Sequence, residues 1–266
     1  MRYYATASTE RVRDAMRADY LGQIITPAAG NRLEPWVDWI ADNGIYSNAY
    51  PGDAGYLSWL ASHSEMRARC RFAVAPDVVA DHTRTLERSW PLLRPIRQIV
   101  GRVAICAQNG ATPDDMPWDY LDAIFLAGIV ECAPCSYVPE LAELPAATCP
   151  HCSGPLAEWK IGEAAAAVTA EAKRRGKWVH MGRVNSADRI ARARQMGVDS
   201  GDGTYLAYGP DINLIRLLEW LNPGDFRFMR AESSARLRPA RSAQGGLFEL
   251  PDPHTSQPAA RRMEAA

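Results

Sequence analysis

The chain has 266 residues, 47% hydrophobic and 23% charged, with a formal net charge of −1. That length accommodates one sizeable core, and the charge balance excludes any global field drawing in nucleic acid, so polyanion binding would need local patches. The first residues, Met1-Arg-Tyr-Tyr-Ala-Thr-Ala, read as a strand and not as a signal peptide, and no apolar stretch is long enough to span a bilayer; the default expectation is a cytoplasmic protein that does not enter membranes.

Runs of strand length recur along the chain with helical segments between them. A first strand, Arg2–Ala7, is followed by a helix over Thr9–Asp19 that opens on a Ser/Thr cap. Strands follow at Gly22–Thr26, Trp36–Ala41 and Arg71–Ala75, then a helix over Thr83–Leu93. Val103-Ala-Ile-Cys-Ala107, inside a strand at Arg102–Ala107, and Ala123–Ala127 are continuous apolar runs, as suits strands buried on both faces. A helix over Ala164–Arg175 precedes a strand at Trp178–Gly182. Ser186–Gln195 carries a serine cap, an early acid and late arginines, in keeping with the helix dipole, and leads to an eighth strand at Gly197–Ser200. Eight strands alternating with helices predict an α/β fold, a (β/α)₈ TIM barrel, over residues 1–230. An open doubly wound sheet is the rival architecture, weakened by the lack of a Gly-x-Gly-x-x-Gly turn after the first strand.

Two stretches interrupt the rhythm. Residues 129–157 form an insertion after the sixth strand, with Cys132-Ala-Pro-Cys135 and Cys149-Pro-His-Cys152 separated by thirteen residues. Two turns with paired thiolates supply the closed tetrahedral set of structural zinc; two disulfides or free thiols are the alternatives. His151 lies inside the second pair as a bystander, and Cys70 and Cys106 read as core. Residues 231–266 are rich in Ala, Arg, Ser and Pro and predict a disordered tail. Arginines at 227, 230, 236, 238 and 241 make a basic stretch that either contacts phosphates or is simply solvated. Gln244-Gly-Gly-Leu-Phe248 is similar to short peptides that dock on bacterial sliding clamps.

Three acids follow strands: Asp42 in Asp-Asn-Gly44, Asp77 in Ala-Pro-Asp77 and Asp202 in Gly201-Asp-Gly203. Each alone is compatible with a helix cap or a turn. Together they fall where barrel enzymes place their chemistry, at the carboxyl ends of the strands, with Gln108-Asn-Gly110, Gly128 and Met181-Gly182 beside them. There is no histidine pair for a metal and no glycine-rich phosphate cradle; the set suits a flat, polar ring held at its edge.

On these residues the chain resembles the tRNA-guanine transglycosylase superfamily, and most of all its compact DNA-directed branch in phage and bacterial 7-deazaguanine modification systems. The likeness runs from about Arg2 to Trp220 and is carried by Ala41-Asp-Asn-Gly44, Ala75-Pro-Asp-Val-Val-Ala-Asp81, Ala107-Gln-Asn-Gly110, Glu158-Trp-Lys-Ile-Gly-Glu163 and His180-Met-Gly through Asp202. The resemblance implies that Asp202 is the nucleophile at C1′ of the target guanosine and that Asp42 relays protons. It implies that Asp77 and Gln108 read the base edge, that Gly128 and Gly182 give close approach, and that Met181 packs on the ring face. It implies nucleic acid and a 7-deazaguanine base as partners and needs no redox or nucleotide cofactor. Gly201 and Gly203 replace the aromatic residue and the cysteine that flank the nucleophile in the tRNA enzymes, and Tyr205-Leu-Ala-Tyr-Gly-Pro210 replaces their arginine-bearing segment. These departures favour DNA over tRNA. Base exchange on tRNA, a non-catalytic zinc-knuckle subunit and an unrelated nucleoside hydrolase are the alternatives. The resemblance also places Gly128 beside Glu158-Trp159-Lys160, across the insertion.

Overall fold

The computed structural model describes residues 1–132, 134–139 and 148–224. Eight parallel strands close into a barrel: β1 (Arg2–Ala5), β2 (Leu21–Ile25), β3 (Trp39–Ala41), β4 (Cys70–Val74), β5 (Val103–Ala107), β6 (Ala123–Leu126), β9 (Trp178–Met181) and β10 (Ser200–Asp202), with β10 returning to β1. Seven of the eight overlap runs expected from the sequence, and the eighth shares only Ser200 with its expected run. The (β/α)₈ barrel is therefore the architecture, and the open sheet is excluded by the β1–β10 pairing, Arg2 to Ser200 and Tyr4 to Asp202.

Among the described residues six α-helices surround it: α1 (Glu10–Arg17), α2 (Gly52–Ser62), α3 (His82–Val100), α4 (Glu163–Arg174), α5 (Ala187–Gln195) and α6 (Pro210–Leu221). Capping fixes several starts. Thr9 accepts from the Val12 N–H, Asp81 from Arg84 and Ser186 from Arg189, each satisfying an amide the helix cannot. Three expectations need correction. Helix α3 already contains Pro91 and continues past Leu93 through Pro95 to Val100, because Leu92, Leu93, Ile96 and Val100 all bury against the barrel; Gly101, at φ +88°, ends it. Helix α2 is absent from the sequence expectations: it starts on Pro51-Gly52 and buries only Tyr56 and Leu60. The last strand is Ser200–Asp202, not Gly197–Ser200. Gly197, at φ +83°, closes the turn after α5 by donating to the Arg194 carbonyl, which moves the strand toward the carboxylate.

Period-two alternation divides the core into a shell and a lumen. Val12, Leu60, Ile96, Ile105, Ile124, Val168, Ile190 and Leu214 belong to the shell between strands and helices. Tyr4, Ile40, Phe72, Val74, Ala104, Cys106, Ala123 and Phe125 fill the lumen. Cys70 and Cys106 are both buried, as expected. At the strand starts, the Asp38 carboxylate accepts from Tyr4 Oη at 2.7 Å, faces Arg2 at 3.1 Å and Arg71 at 3.4 Å, and Arg71 lies 4.5 Å over the Trp178 ring. That plug seals the amino-terminal end and leaves the opposite end for chemistry.

Between β6 and α4 stands an antiparallel ribbon, β7 (Val130–Cys132) with β8 (Leu156–Glu158), extended by a bridge between Thr148 and Pro155. Its feet meet at the barrel: the Trp159 N–H donates to the Ile129 carbonyl at 3.0 Å. Among the described residues no helix is long and apolar enough to cross a membrane. The expected disordered tail 231–266, the basic stretch from Arg227 to Arg241 and the Gln244–Phe248 peptide lie outside the described residues.

Candidate functional site at the barrel mouth

Asp42 directly follows β3, Gln108 directly follows β5, and Asp202 is the last residue of β10; Asp77, Gly128 and Gly182 lie just beyond β4, β6 and β9. The fold therefore brings the three acids, the amide and both glycines to one rim.

Asp77 and Gln108 form a buried, locked pair. Gln108 Nε2 donates to Asp77 Oδ2 at 2.6 Å, Asn43 Nδ2 donates to Asp77 Oδ1 at 2.9 Å, and the Ala80 N–H donates to Gln108 Oε1 at 3.0 Å. Asn43, not singled out in the sequence, is held in turn by the Ala75 carbonyl. A carboxylate has about four acceptor positions, so Asp77 keeps capacity for a ligand's N–H groups.

Asp42 accepts a long hydrogen bond from the Gly44 N–H at 3.3 Å, and the Asn43 backbone N–H also draws its carboxyl down. Burial, and then the nearby charges of Asp202 and Asp77, push its carboxyl up to about 7. A carboxyl poised there can hold or release a proton near neutral pH. Asp202 is more open, with 18% of its side chain exposed, and its Oδ1 stands 3.0 Å from His180 Nε2.

The glycines make room. A methyl group on Gly182 would come within 2.6 Å of the Phe125 ring and 3.6 Å of Asp202 Oδ1; one on Gly128 would strike the Trp159 indole at 2.4 Å. Gly128 and Trp159 are thus in contact, as the resemblance required. Beside Asp202, a methyl on Gly203 would meet Asn185 Oδ1 at 2.0 Å and Tyr3 Oη at 2.7 Å, so the glycine there has a packing cause as well as a turn.

Met181 is a correction. It belongs to the shell cluster, fully buried, because alternation along β9 gives the lumen to Trp178, His180 and Gly182. The lumen positions beside Gly182 are taken by His180 and Phe125, whose rings are 4.6 Å apart. His180 escapes a reading of the sequence because one histidine in an apolar strand reads as core; its phase with Gly182 is the available signal. Lys160 carries no sequence signal of its own either. It is 5% exposed, and burial draws its ammonium down to about 8 against the pull of Glu158. Across the rim, the Arg183 guanidinium lies 4.8 Å over the Tyr46 ring and donates to its hydroxyl.

The four cysteines of the ribbon converge. Their sulfurs lie within 4.8 Å of one another, with Cys132–Cys152 at 3.4 Å, Cys135–Cys152 at 3.5 Å and Cys135–Cys149 at 3.7 Å. Disulfide sulfurs would be about 2.05 Å apart. Tetrahedral thiolates on a bond of about 2.3 Å stand roughly 3.8 Å apart, so the donor set fits a tetrahedral metal ion such as zinc. His151 is no ligand: its ring lies tilted against Tyr137, centroids 4.1 Å apart, and its backbone N–H donates to Cys149 Sγ.

No known family profile matches the chain, and no curated protein sequence matches it. Solved structures with a similar course of chain exist at low identity. A chain of the tryptophan synthase complex from Pyrococcus furiosus is 12% identical, with a TM-score of 0.47, over 83% of this chain and 96% of that one. Phosphoribosyl anthranilate isomerase from Thermus thermophilus is 15% identical, with a TM-score of 0.42, over 88% and 100%. A chain of the Amycolatopsis orientalis BexX/CysO complex is 12% identical, with a TM-score of 0.46, over 91% and 94%.

Proposed function

We propose that this barrel is a pentosyltransferase that exchanges guanine for a 7-deazaguanine derivative in DNA, through a covalent intermediate on Asp202. The observation that carries the reading is the electrostatic division among three acids at one mouth: Asp42 raised to about 7, Asp77 tied to two amides, and Asp202 open and held by one imidazole nitrogen. Two carboxylates in such unlike settings suit a retaining displacement through an oxocarbenium-like transition state.

In the first step an oxygen of Asp202 bonds to C1′ as the C1′–N9 bond breaks, and the electron pair leaves with guanine, which takes a proton from Asp42. In the second, Asp42 takes a proton from the incoming base, whose nitrogen bonds to C1′ while the C1′–oxygen pair returns to Asp202. Atoms and charge balance without ATP or a redox partner. Asp77 accepts from the N–H donors of a guanine-like edge, and Gln108 holds that carboxylate in place. The glycine at 182 makes room for the ring beside Phe125 and Asp202. The closed Cys132-Cys135-Cys149-Cys152 set would hold zinc structurally, keeping the ribbon folded and supplying no open coordination position.

DNA is the favoured acceptor because Gly201, Gly203 and Tyr205–Pro210 replace the segments flanking the nucleophile in the tRNA enzymes. The target nucleotide must be single-stranded or extruded to reach the mouth. The test is incorporation of labelled guanine into duplex DNA, single-stranded DNA and tRNA by the purified chain. Exchange into DNA supports the reading. Exchange into tRNA alone reassigns the acceptor, and exchange into none refutes the activity.

A further inference from the structure

Beneath Asp202 runs a hydrogen-bonded file through the lumen. The Trp178 indole N–H donates to Ser200 Oγ at 2.7 Å, Ser200 Oγ lies 2.9 Å from His180 Nδ1, and His180 Nε2 lies 3.0 Å from Asp202 Oδ1. His180 and Ser200 have no exposure to solvent. The imidazole stands among three aromatic rings, Phe125 at 4.6 Å, Phe72 at 5.6 Å and Tyr4 at 6.0 Å.

Donor and acceptor roles along this file are fixed from its base. An indole nitrogen only donates, so Ser200 Oγ accepts from Trp178. The serine hydroxyl proton then goes to His180 Nδ1, which must be an acceptor. The ring's single proton is left on Nε2, facing the carboxylate. The opposite tautomer would set a bare nitrogen lone pair against a carboxylate oxygen and strand the serine proton in an aromatic enclosure, where an unmade hydrogen bond is costly.

We propose that His180 is a positioning residue for Asp202, a neutral imidazole locked with its proton on Nε2 by Ser200 and Trp178. It holds Oδ1 and leaves Oδ2 to bond to C1′. This rests on the reading of Asp202 as the nucleophile. When Oδ2 becomes the ester oxygen, Oδ1 turns into a carbonyl acceptor and the hydrogen bond weakens. When the incoming base displaces the enzyme, the electron pair returns to the carboxylate and the charge-assisted bond is regained. The proton stays on His180 throughout. The imidazole therefore speeds departure of Asp202 in the second step more than attack in the first.

The experiment has two arms on the full, metal-loaded chain. Rapid-quench assays on DNA separate adduct formation from turnover in wild type, His180→Phe and His180→Gln. The phenylalanine variant fills the enclosure without a donor. It should form adduct but turn over about 10- to 100-fold more slowly, the rate equivalent of one charge-assisted hydrogen bond. Glutamine can place an amide donor near the Nε2 position and should recover much of that loss. Equal slowing of both steps, or no recovery with glutamine, overturns the proposal. The second arm is independent of activity: the imidazole ¹⁵N spectrum should show the Nε2–H tautomer in wild type and a mixture in Ser200→Ala. An Nδ1–H tautomer in wild type overturns the proposal even where adduct forms. If wild type forms no adduct with DNA or tRNA, the transglycosylase reading falls and takes the catalytic consequence with it, while the spectrum still judges the hydrogen-bond file itself.

Discussion

Replacing Asp42 with asparagine should remove a pH-dependent weakness from the native state. The carboxyl is raised from 3.8 to about 7 by burial and by the charges of Asp202 and Asp77. A carboxyl whose folded value lies above its unfolded value binds its proton more tightly when folded. Its contribution is therefore most favourable below pH 4 and is lost as pH rises toward 7. At about 1.4 kcal/mol per unit, the full penalty in wild type is roughly 4 kcal/mol, of which about 2–3 kcal/mol develops between pH 5 and pH 8.5. An asparagine at this position cannot ionise, so the variant escapes this slope; titrating groups that do not face Asp42 cancel in the difference between the two proteins. Urea unfolding of both, metal-loaded, at pH 5 and pH 8.5 reads the quantity directly. The advantage of Asp42→Asn should grow by about 2–3 kcal/mol over that interval. A constant difference would refute the reasoning, since Asp42 would then ionise as easily in the folded chain as in the unfolded one.

Three other perturbations have clear signs. Lys160→Met should stabilise the chain at pH 7 by up to about 3 kcal/mol, because an ammonium drawn down to about 8 is penalised while charged. That gain should fade as pH rises from 8 toward 10.5, measurable by denaturant titration across that range. Gly182→Ala should destabilise by about 1–3 kcal/mol through its clash with Phe125 and should raise the KM for the incoming base more than that of Gly176→Ala, at an open, left-handed turn, which costs stability alone. Cys149→Ser should abolish stoichiometric metal in elemental analysis while the far-ultraviolet signal of the barrel persists, because none of the eight barrel strands contains a ligand.

The barrel is legible in the sequence because its strands are apolar on both faces, and runs such as Val103–Ala107 have no other comfortable place to go. The three acids are legible because a polar residue ending such a run must sit at a rim. Less is legible where the signal is short or two-sided. Strand β10 has three residues, one a glycine, so from sequence its start reads as Gly197. Along β9 the resemblance implies Met181 against the ring, whereas the period of two places Met181 in the shell and His180 in the lumen. The Asp77–Gln108–Asn43 lock joins three different strand ends and has no local pattern at all. The cysteine spacing, by contrast, carries its geometry openly, since the two turns are brought together when the strands flanking them pair, as β7 and β8 do.

The most direct test of the central claim is to trap the covalent intermediate and find its site of attachment. The purified chain is incubated with deoxyguanosine-containing DNA without an incoming base, denatured, digested and mapped by mass spectrometry. The account predicts a sugar-linked peptide spanning Gly197–Tyr205, attached at Asp202, and none from Asp202→Asn. An adduct on any other residue, or full exchange activity in Asp202→Asn, would contradict it.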